Sequence, residues 1–166
     1  MGSAKHTLDY YNSKAKDFVS GTVDVTFTEM QDTFLEFIPA GGKILDFGCG
    51  SGRDTKYFIS KGYDVDATDG SEELCKIASE YIGIQVKQLL FEELDEVEEY
   101  DGIWACASIL HVEKKHLPEI IKKIAIATKK GASYTLYQTD NELMTLIFRC
   151  DKMCLSRTLS LHQTLA

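Results

Sequence analysis

Most of the chemical potential of this 166-residue chain is concentrated in one short segment. Ile44-Leu45-Asp46-Phe47-Gly48-Cys49-Gly50-Ser51-Gly52-Arg53-Asp54 sets an acid two residues ahead of three alternating glycines, with a cation and another acid directly after them. Glycines without a Cβ permit positive φ and let a ligand lie against the backbone, while free N–H groups where a helix opens attract a carboxylate or phosphate. The same strand-loop-helix logic serves nicotinamide dinucleotides, whose fingerprint is Gly-x-Gly-x-x-Gly. Counting from Gly48, however, puts Arg53 where the third glycine should pack helix against strand. What stands instead is Asp46-x-Gly48-x-Gly50-x-Gly52. A further acid, Asp69, ends the run Val65-Asp66-Ala67-Thr68-Asp69-Gly70-Ser71, 21 residues after Gly48, where a carboxylate can accept both hydroxyls of a ribose.

These residues need elements to hold them, and the hydrophobic pattern supplies them. Leu8, Tyr11, Ala15, Phe18 and Val19 fall on one face of a 3.6-period helix, and Phe27, Met30, Phe34, Leu35 and Ile38 repeat the pattern, with Ser20-Gly21-Thr22 between. Pro39-Ala40-Gly41-Gly42 stops the second helix. Candidate strands then begin near Lys43, Tyr63, Ile84, Gly102 and Ala132, at intervals of 20, 21, 18 and 30 residues, each long enough for a strand, a crossover helix and two turns. Such spacing signals βαβ units on a parallel sheet, doubly wound. One crossover helix has Ser71 as N-cap, Leu74, Ile77, Ala78 and Tyr81 inward, and Gly83 after its end. The next has Pro118 in its first turn, Ile120, Ile121, Ile124 and Thr128 toward the sheet, and Lys129-Lys130-Gly131 at its end. In an open sheet of this type a ligand sits over the carboxyl ends of the strands at the switch point, so Gly102-Ile103-Trp104-Ala105-Cys106-Ala107 delivers its end to the site.

Several residues near that end carry two readings. His111, just past the fourth strand, is either a general base or substrate contact, or an exposed histidine at a helix start. Tyr11 and Phe18 are either core or a lid over a ligand. Cys49 is read as a small loop residue rather than a nucleophile, since no basic partner adjoins it. The stretch from Phe91 to Asp101, with seven carboxylates in eleven positions, is read as a solvated connection; no metal is assigned to it.

Composition bounds the rest. With 44% hydrophobic and 27% charged residues the chain has the balance of one soluble globular domain. A net charge of -8 and a pI near 5.0 leave little for counterion-release binding, so no nucleic acid partner is expected. No apolar stretch approaches the roughly 20 residues a bilayer helix needs, and no signal core opens the chain, so neither membrane nor export is expected. Five cysteines without paired spacing point to reduced thiols and a cytoplasmic location.

Taken together, ILDFGCGSGRD, VDATDGSEEL and DGIWACASILHV, in this order and at these distances, resemble a class I S-adenosylmethionine-dependent methyltransferase over roughly residues 7 to 138. Tyr10, Tyr11, Ala15 and Phe18, with GSGRD and WACASILHV, are similar to the small stand-alone enzymes of the tellurite-resistance and ubiquinone-biosynthesis type, which methylate small molecules. The resemblance implies S-adenosyl-L-methionine as cofactor and S-adenosyl-L-homocysteine as product. It implies that Gly48, Cys49, Gly50 and Gly52 line the methionine part, that Asp46 holds its amino group and that Arg53 reaches its carboxylate. Asp69, with Gly70 beside it, would bind the ribose; Ala105 and Cys106 would offer backbone carbonyls; Leu90 and Phe91 would wall the adenine. Tyr11 would cover the cofactor, and His111 would be the base for a protic small-molecule acceptor. The family often has an acid near the third strand to receive the adenine amino group; here stands Leu89-Leu90-Phe91, leaving that role to the backbone or Glu92.

One domain over 1–166 is expected: a helical cap over 1–40, a cofactor-binding core over 41–138 and a short C-terminal segment over 139–166. Thr139-x-x-Glu142 reads as a capping box for a helix with Leu143, Leu146, Ile147, Cys150 and Cys154 on one face, followed by an edge strand at Leu159 and Leu161. That makes at most six strands, an incomplete sheet against the family's seven, and an open edge at which two copies can pair as a homodimer. The alternative to methyl transfer is a chain that binds the cofactor without turnover or serves as a partner subunit.

Overall fold

The structure is a computed structural model that describes residues 2–109, 112–139 and 143–149, with side chains from 7 to 109 and from 112 to 133. Two helices lead, α1 (Gly2–Thr22) and α2 (Thr28–Leu35), on the apolar stripes expected for them. The alternation follows with β1 (Lys43–Phe47), α3 (Arg53–Ser60), β2 (Asp64–Asp69), α4 (Glu72–Ile82), β3 (Lys87–Gln88), β4 (Tyr100–Cys106), α5 (Leu117–Ala127), β5 (Thr128–Thr139) and β6 (Leu143–Arg149). Local chemistry sets the boundaries near the site. The Ser71 hydroxyl accepts from the Leu74 N–H at 3.2 Å and caps α4, whose first turn holds Glu72 and Glu73.

The strands form one sheet in the order β3-β2-β1-β4-β5-β6, parallel from β3 to β5, with β6 antiparallel to β5. The order reverses between β1 and β4, so a crevice opens beyond their C-terminal ends. Alternate side chains take opposite faces. Leu45, Phe47, Ile103 and Ala105 pack with Ile120, Ile121 and Ile124 of α5. Ile44 and Trp104 pack on the other face with Phe34, Ile38 and Phe58, the Trp104 ring lying 5.1 Å from Phe34 and 5.5 Å from Phe58. A set of ion pairs ties the opposite end of the sheet: Lys43 Nζ reaches Glu99 at 2.7 Å and Asp66 at 3.2 Å, and Lys129 Nζ reaches Asp101 at 2.9 Å.

Three expectations need correction. The segment after Thr139 is not a helix over Leu143, Leu146 and Ile147 but strand β6, because β5 presents an open edge of N–H and C=O groups that an adjacent strand satisfies and a helix would leave unpaired. Cys150, Cys154, Leu159, Leu161 and Glu142 lie outside the described residues. Helix α5 ends at Ala127, and Thr128 to Lys130 already belong to β5, where Thr128 pairs with Tyr100 and the two lysines bond acids across the sheet end instead of capping a helix. The third strand is only Lys87–Gln88, later and shorter than a start near Ile84 suggests.

Candidate functional site

A cavity of about 580 Å³ lies over the C-terminal ends of β1, β2 and β4 and beneath α1. That is within the few-hundred-to-thousand Å³ range of cofactor sites. Of the residues singled out in the sequence, Tyr11, Gly48, Cys49, Gly50, Arg53, Asp69, Gly70, Leu90, Phe91 and Cys106 all stand on its wall. Asp46, Gly52 and Ala105 do not: Asp46 and Ala105 are buried within β1 and β4, and Gly52, at the start of α3, faces Ala78 and Ile82 of α4. His111 lies outside the described residues.

The glycine loop is shaped by what surrounds it. Gly48, Gly50 and Gly52 have φ of 84°, 56° and 80°, and the N–H groups of Gly48 and Cys49 both donate to the Thr68 carbonyl at 2.9 and 2.8 Å, tying the loop to β2. A Cβ on Gly48 would stand 2.4 Å from Ser108 Cβ, so the loop packs directly against the side chain of the residue that follows Ala107. Ser108 in turn donates to the Phe47 carbonyl at 2.7 Å. Asp69 ends β2 facing the same cavity. Its carboxylate accepts the Gly50 N–H at 2.9 Å and the Ser71 N–H at 2.8 Å, one on each oxygen. Burial pushes the Asp69 pKa above the ordinary carboxylate value, and those amides with that of Gly70 oppose the shift. Each carboxylate oxygen keeps a second lone pair for a ligand hydroxyl.

At the other end of the loop stands a buried polar cluster. Arg53 binds the neighbouring Asp54 by two donors, Nε to Oδ1 at 2.7 Å and Nη2 to Oδ2 at 3.0 Å, and its guanidinium lies 4.9 Å over the Phe27 ring. Burial alone would lower the Arg53 pKa; the Asp54 carboxylate outweighs it and leaves the group above its usual value. Asp54 also accepts from Gln31 Nε2 at 2.7 Å and Trp104 Nε1 at 2.9 Å. Asp46, only 2% exposed, accepts the Thr55 hydroxyl at 2.5 Å; burial and then the Asp54 charge drive its pKa well above the carboxylate range.

Helix α1 roofs the cavity. Tyr11 and Phe18 meet edge to face at 5.2 Å, and a Cβ on Gly50 would stand 3.0 Å from the Phe18 ring, which places both aromatics over the loop. The helix is moored by Asn12, whose Oδ1 accepts the Ser71 hydroxyl at 2.6 Å and the Glu73 N–H at 3.4 Å. Opposite, Phe91 packs on Phe47 at 4.8 Å and forms the far wall with Leu90.

Past β4 the wall continues through Ala107, Ser108, Val112, Glu113 and His116. Ala107 holds φ 51°, an uncommon conformation for a residue with a Cβ, and turns the chain sharply at the crevice. The thiols here are not set up as nucleophiles: burial pushes Cys106 up to about 12 and Cys49 well above its ordinary value. Asp54, Gln31, Glu113 and His116 were not singled out from the sequence. Asp54 sits beside Arg53 in the quoted motif, and an acid in the first turn of a helix was the available signal. His116 in Lys-Lys-His-Leu-Pro looks like a helix start, which it also is. Among the described residues no group of three or more His, Cys, Asp and Glu side chains is placed to hold a metal ion.

A sheet with this order, a glycine loop after β1 and an acid closing β2 define the class I S-adenosylmethionine-dependent methyltransferase fold. Within that class the chain belongs to the TehB family: residues 10–148 match the family model described as tellurite resistance protein TehB. A probable S-adenosyl-L-methionine-dependent methyltransferase TehB of Haemophilus influenzae is 27% identical over 130 residues, covering 75% of this chain and 45% of the relative. The chain therefore spans about half the length of the curated relatives it matches. The Burkholderia thailandensis 1,6-didemethyltoxoflavin-N1-methyltransferase, solved with bound 1,6-didemethyltoxoflavin and S-adenosylhomocysteine, superposes with a TM-score of 0.69 at 18% identity over 90% of this chain and 70% of that one. The [4+2]-cyclase SpnF superposes with a TM-score of 0.65 at 16% identity over 80% of this chain and 58% of that one. No helix among the described residues is long and apolar enough to cross a membrane.

Proposed function

We propose that this chain binds S-adenosyl-L-methionine in the cavity over β1, β2 and β4 and transfers its methyl group to a small-molecule acceptor. One observation carries the reading: Asp69 is held by the Gly50 and Ser71 amides with its carboxylate on the cavity wall, beside a glycine loop that packs at positive φ against Phe18 and Ser108 on the same wall. The residues present fit the cofactor. Asp69 accepts the ribose hydroxyls, Leu90 and Phe91 flank the adenine, and the loop from Gly48 to Gly52 follows the methionine chain. Arg53 receives the carboxylate and Asp46 stabilises the ammonium from beneath. When bound, the cofactor supplies a methyl group already activated on a sulfonium. The protein's share is then to orient the acceptor in line and exclude water, tasks that suit the walls formed by Tyr11, Phe18 and the segment after β4. The acceptor would enter on the side of Ser108, Glu113 and His116, with His111 following β4 in the chain as a base for a protic acceptor. The core over 41–138 carries the cofactor and the cap over 1–40 covers it within one domain.

A second reading is binding without methyl transfer, favoured by the superposition on a [4+2]-cyclase, which shows that this scaffold serves other chemistry. Calorimetric titration with S-adenosylhomocysteine, with NADH and ATP as controls, tests the shared part. Saturable binding to the wild type and at least tenfold weaker binding to Asp69→Ala is expected, the loss of charge-assisted hydrogen bonds worth about 1.5–3 kcal/mol. Radiolabelled cofactor with tellurite, selenite, thiols and phenols then separates the two readings, since transfer to any of them selects the first. No binding by the folded wild type would overturn both.

A further inference from the structure

The buried cluster around Asp54 holds more hydrogen bonds than a structural acid needs. Asp54 accepts four: two from Arg53, one from Gln31 and one from Trp104. Gln31 and Trp104 are 2% and 0% exposed and come from different elements, one from helix α2 outside the βαβ core and one from β4. Each fixes a different oxygen of the carboxylate, Gln31 the Oδ1 that also takes Arg53 Nε, and Trp104 the Oδ2 that takes Nη2. A carboxylate rotates freely about its last torsion and arginine is rich in rotamers. Here both freedoms are removed, and Phe27 supports the guanidinium from its face at 4.9 Å. Asp54 occupies the Nε side of the fork. Arg53 stands on the cavity wall, and of its three N–H donors not bonded to Asp54 the neighbouring Cys106 thiol engages one, leaving the others for a ligand.

We infer that Gln31 and Trp104 are positioning residues: through Asp54 they aim Arg53 at an anionic group of the ligand, and α2 thereby sets the affinity for the amino-acid end of the cofactor. The inference rests on the cofactor reading above. It assigns the two mooring points of the N-terminal helices to the two ends of the cavity, Asn12 of α1 near Asp69 and Gln31 of α2 near Arg53.

The test compares S-adenosylhomocysteine, which has a carboxylate, with adenosine, which lacks it, by calorimetry on wild type, Gln31→Leu, Arg53→Ala and the double variant. Gln31→Leu is expected to bind S-adenosylhomocysteine about tenfold more weakly, the scale of one lost hydrogen bond to a charged group, and adenosine within about twofold of wild type. The double variant is expected to be no weaker than Arg53→Ala alone, the signature of two residues acting through one contact. Trp104 is the only tryptophan, so the unaltered protein supplies an independent readout: its emission should respond more to S-adenosylhomocysteine than to adenosine. Trp104→Phe, which deletes the other donor, carries the same expectation should Gln31→Leu not fold. Equal losses for both ligands, additive losses in the double variant, or emission that responds equally to both would overturn the inference. Wild type that binds adenosine and S-adenosylhomocysteine while Arg53→Ala leaves both unchanged would overturn it and leave the cofactor reading intact; wild type that binds neither would remove both.

Discussion

Asp46 and Gly48 show how individual residues set conditions on the whole site. Asp46 is buried with its pKa raised by desolvation and by the Asp54 charge, so the folded protein holds that proton more tightly than the unfolded chain does. Its contribution to stability is therefore complete at low pH and is lost as pH rises from the ordinary carboxylate range through the raised value. A ligand ammonium favours the ionised form and reverses the sign: affinity for S-adenosylhomocysteine should strengthen between about pH 6 and pH 8, and Asp46→Asn should flatten that dependence in a calorimetric series. Gly48→Ala brings a Cβ against Ser108 at 2.4 Å in a positive-φ conformation. Strain and overpacking together should lower unfolding stability by roughly 2–4 kcal/mol in a denaturant titration. Gly48 was legible in the sequence as part of a loop, since glycines at alternate positions after a strand have few other uses. The acid one step further, Asp54, was not, because its meaning depends on Gln31 and Trp104, which are 23 and 50 positions away in the chain.

Among elements, α2 has a role that its periodicity did not disclose. Its apolar stripe predicted a packed helix and the helix is packed, but the seat it occupies is Gly102 of β4, where a Cβ would stand 2.4 Å from Ile38 and 2.8 Å from Phe34. Gly102→Ala should displace that end of α2 and with it Gln31. The expected result is a stability loss of about 1–3 kcal/mol from overpacking, together with a larger fall in affinity for S-adenosylhomocysteine than for adenosine. Strand positions in the βαβ core were readable because strands buried on both faces are apolar throughout, as Ile44, Leu45, Ile103 and Trp104 are. The stretch from Leu143 to Arg149 was not. Leu143, Leu146 and Ile147 satisfy a helical stripe as well as a strand, and only the unpaired edge of β5, a tertiary feature, decides between them.

On the scale of the molecule, the sheet divides into a sealed half and a covered half. The strand ends near Lys43 and Lys129 are closed by ion pairs, while the opposite ends open into the cavity under α1. Hydrogen exchange should follow this division. Amides of β1 and β4, in the middle of the sheet, should exchange slowest, and those of α1, attached at Asn12 and by aromatic contacts over the cavity, fastest among the helices. Saturating S-adenosylhomocysteine should slow α1 more than α5, and equal slowing of the two would count against α1 as the roof. The fold class was readable from Lys43 to β4 because βαβ spacing is a long-range regularity. The depth of the cavity and the hidden position of Asp46 were not, since burial is decided by elements far apart in the chain.

Gly48 and Gly50 of the loop line the cavity with no side chain to offer, and the facing wall meets it with Tyr11, Phe18, Glu113 and His116. Main-chain atoms are the same whatever the codon, so one half of the site has almost no neighbouring genotypes: replacing a glycine there adds a Cβ that collides or strains the backbone. The other half can change shape and charge one side chain at a time. In a saturation library the fitness landscape should accordingly be a cliff around the loop and a slope across the facing helix and the segment after β4. Any drift toward a new acceptor would then run along the slope while the cofactor stays fixed.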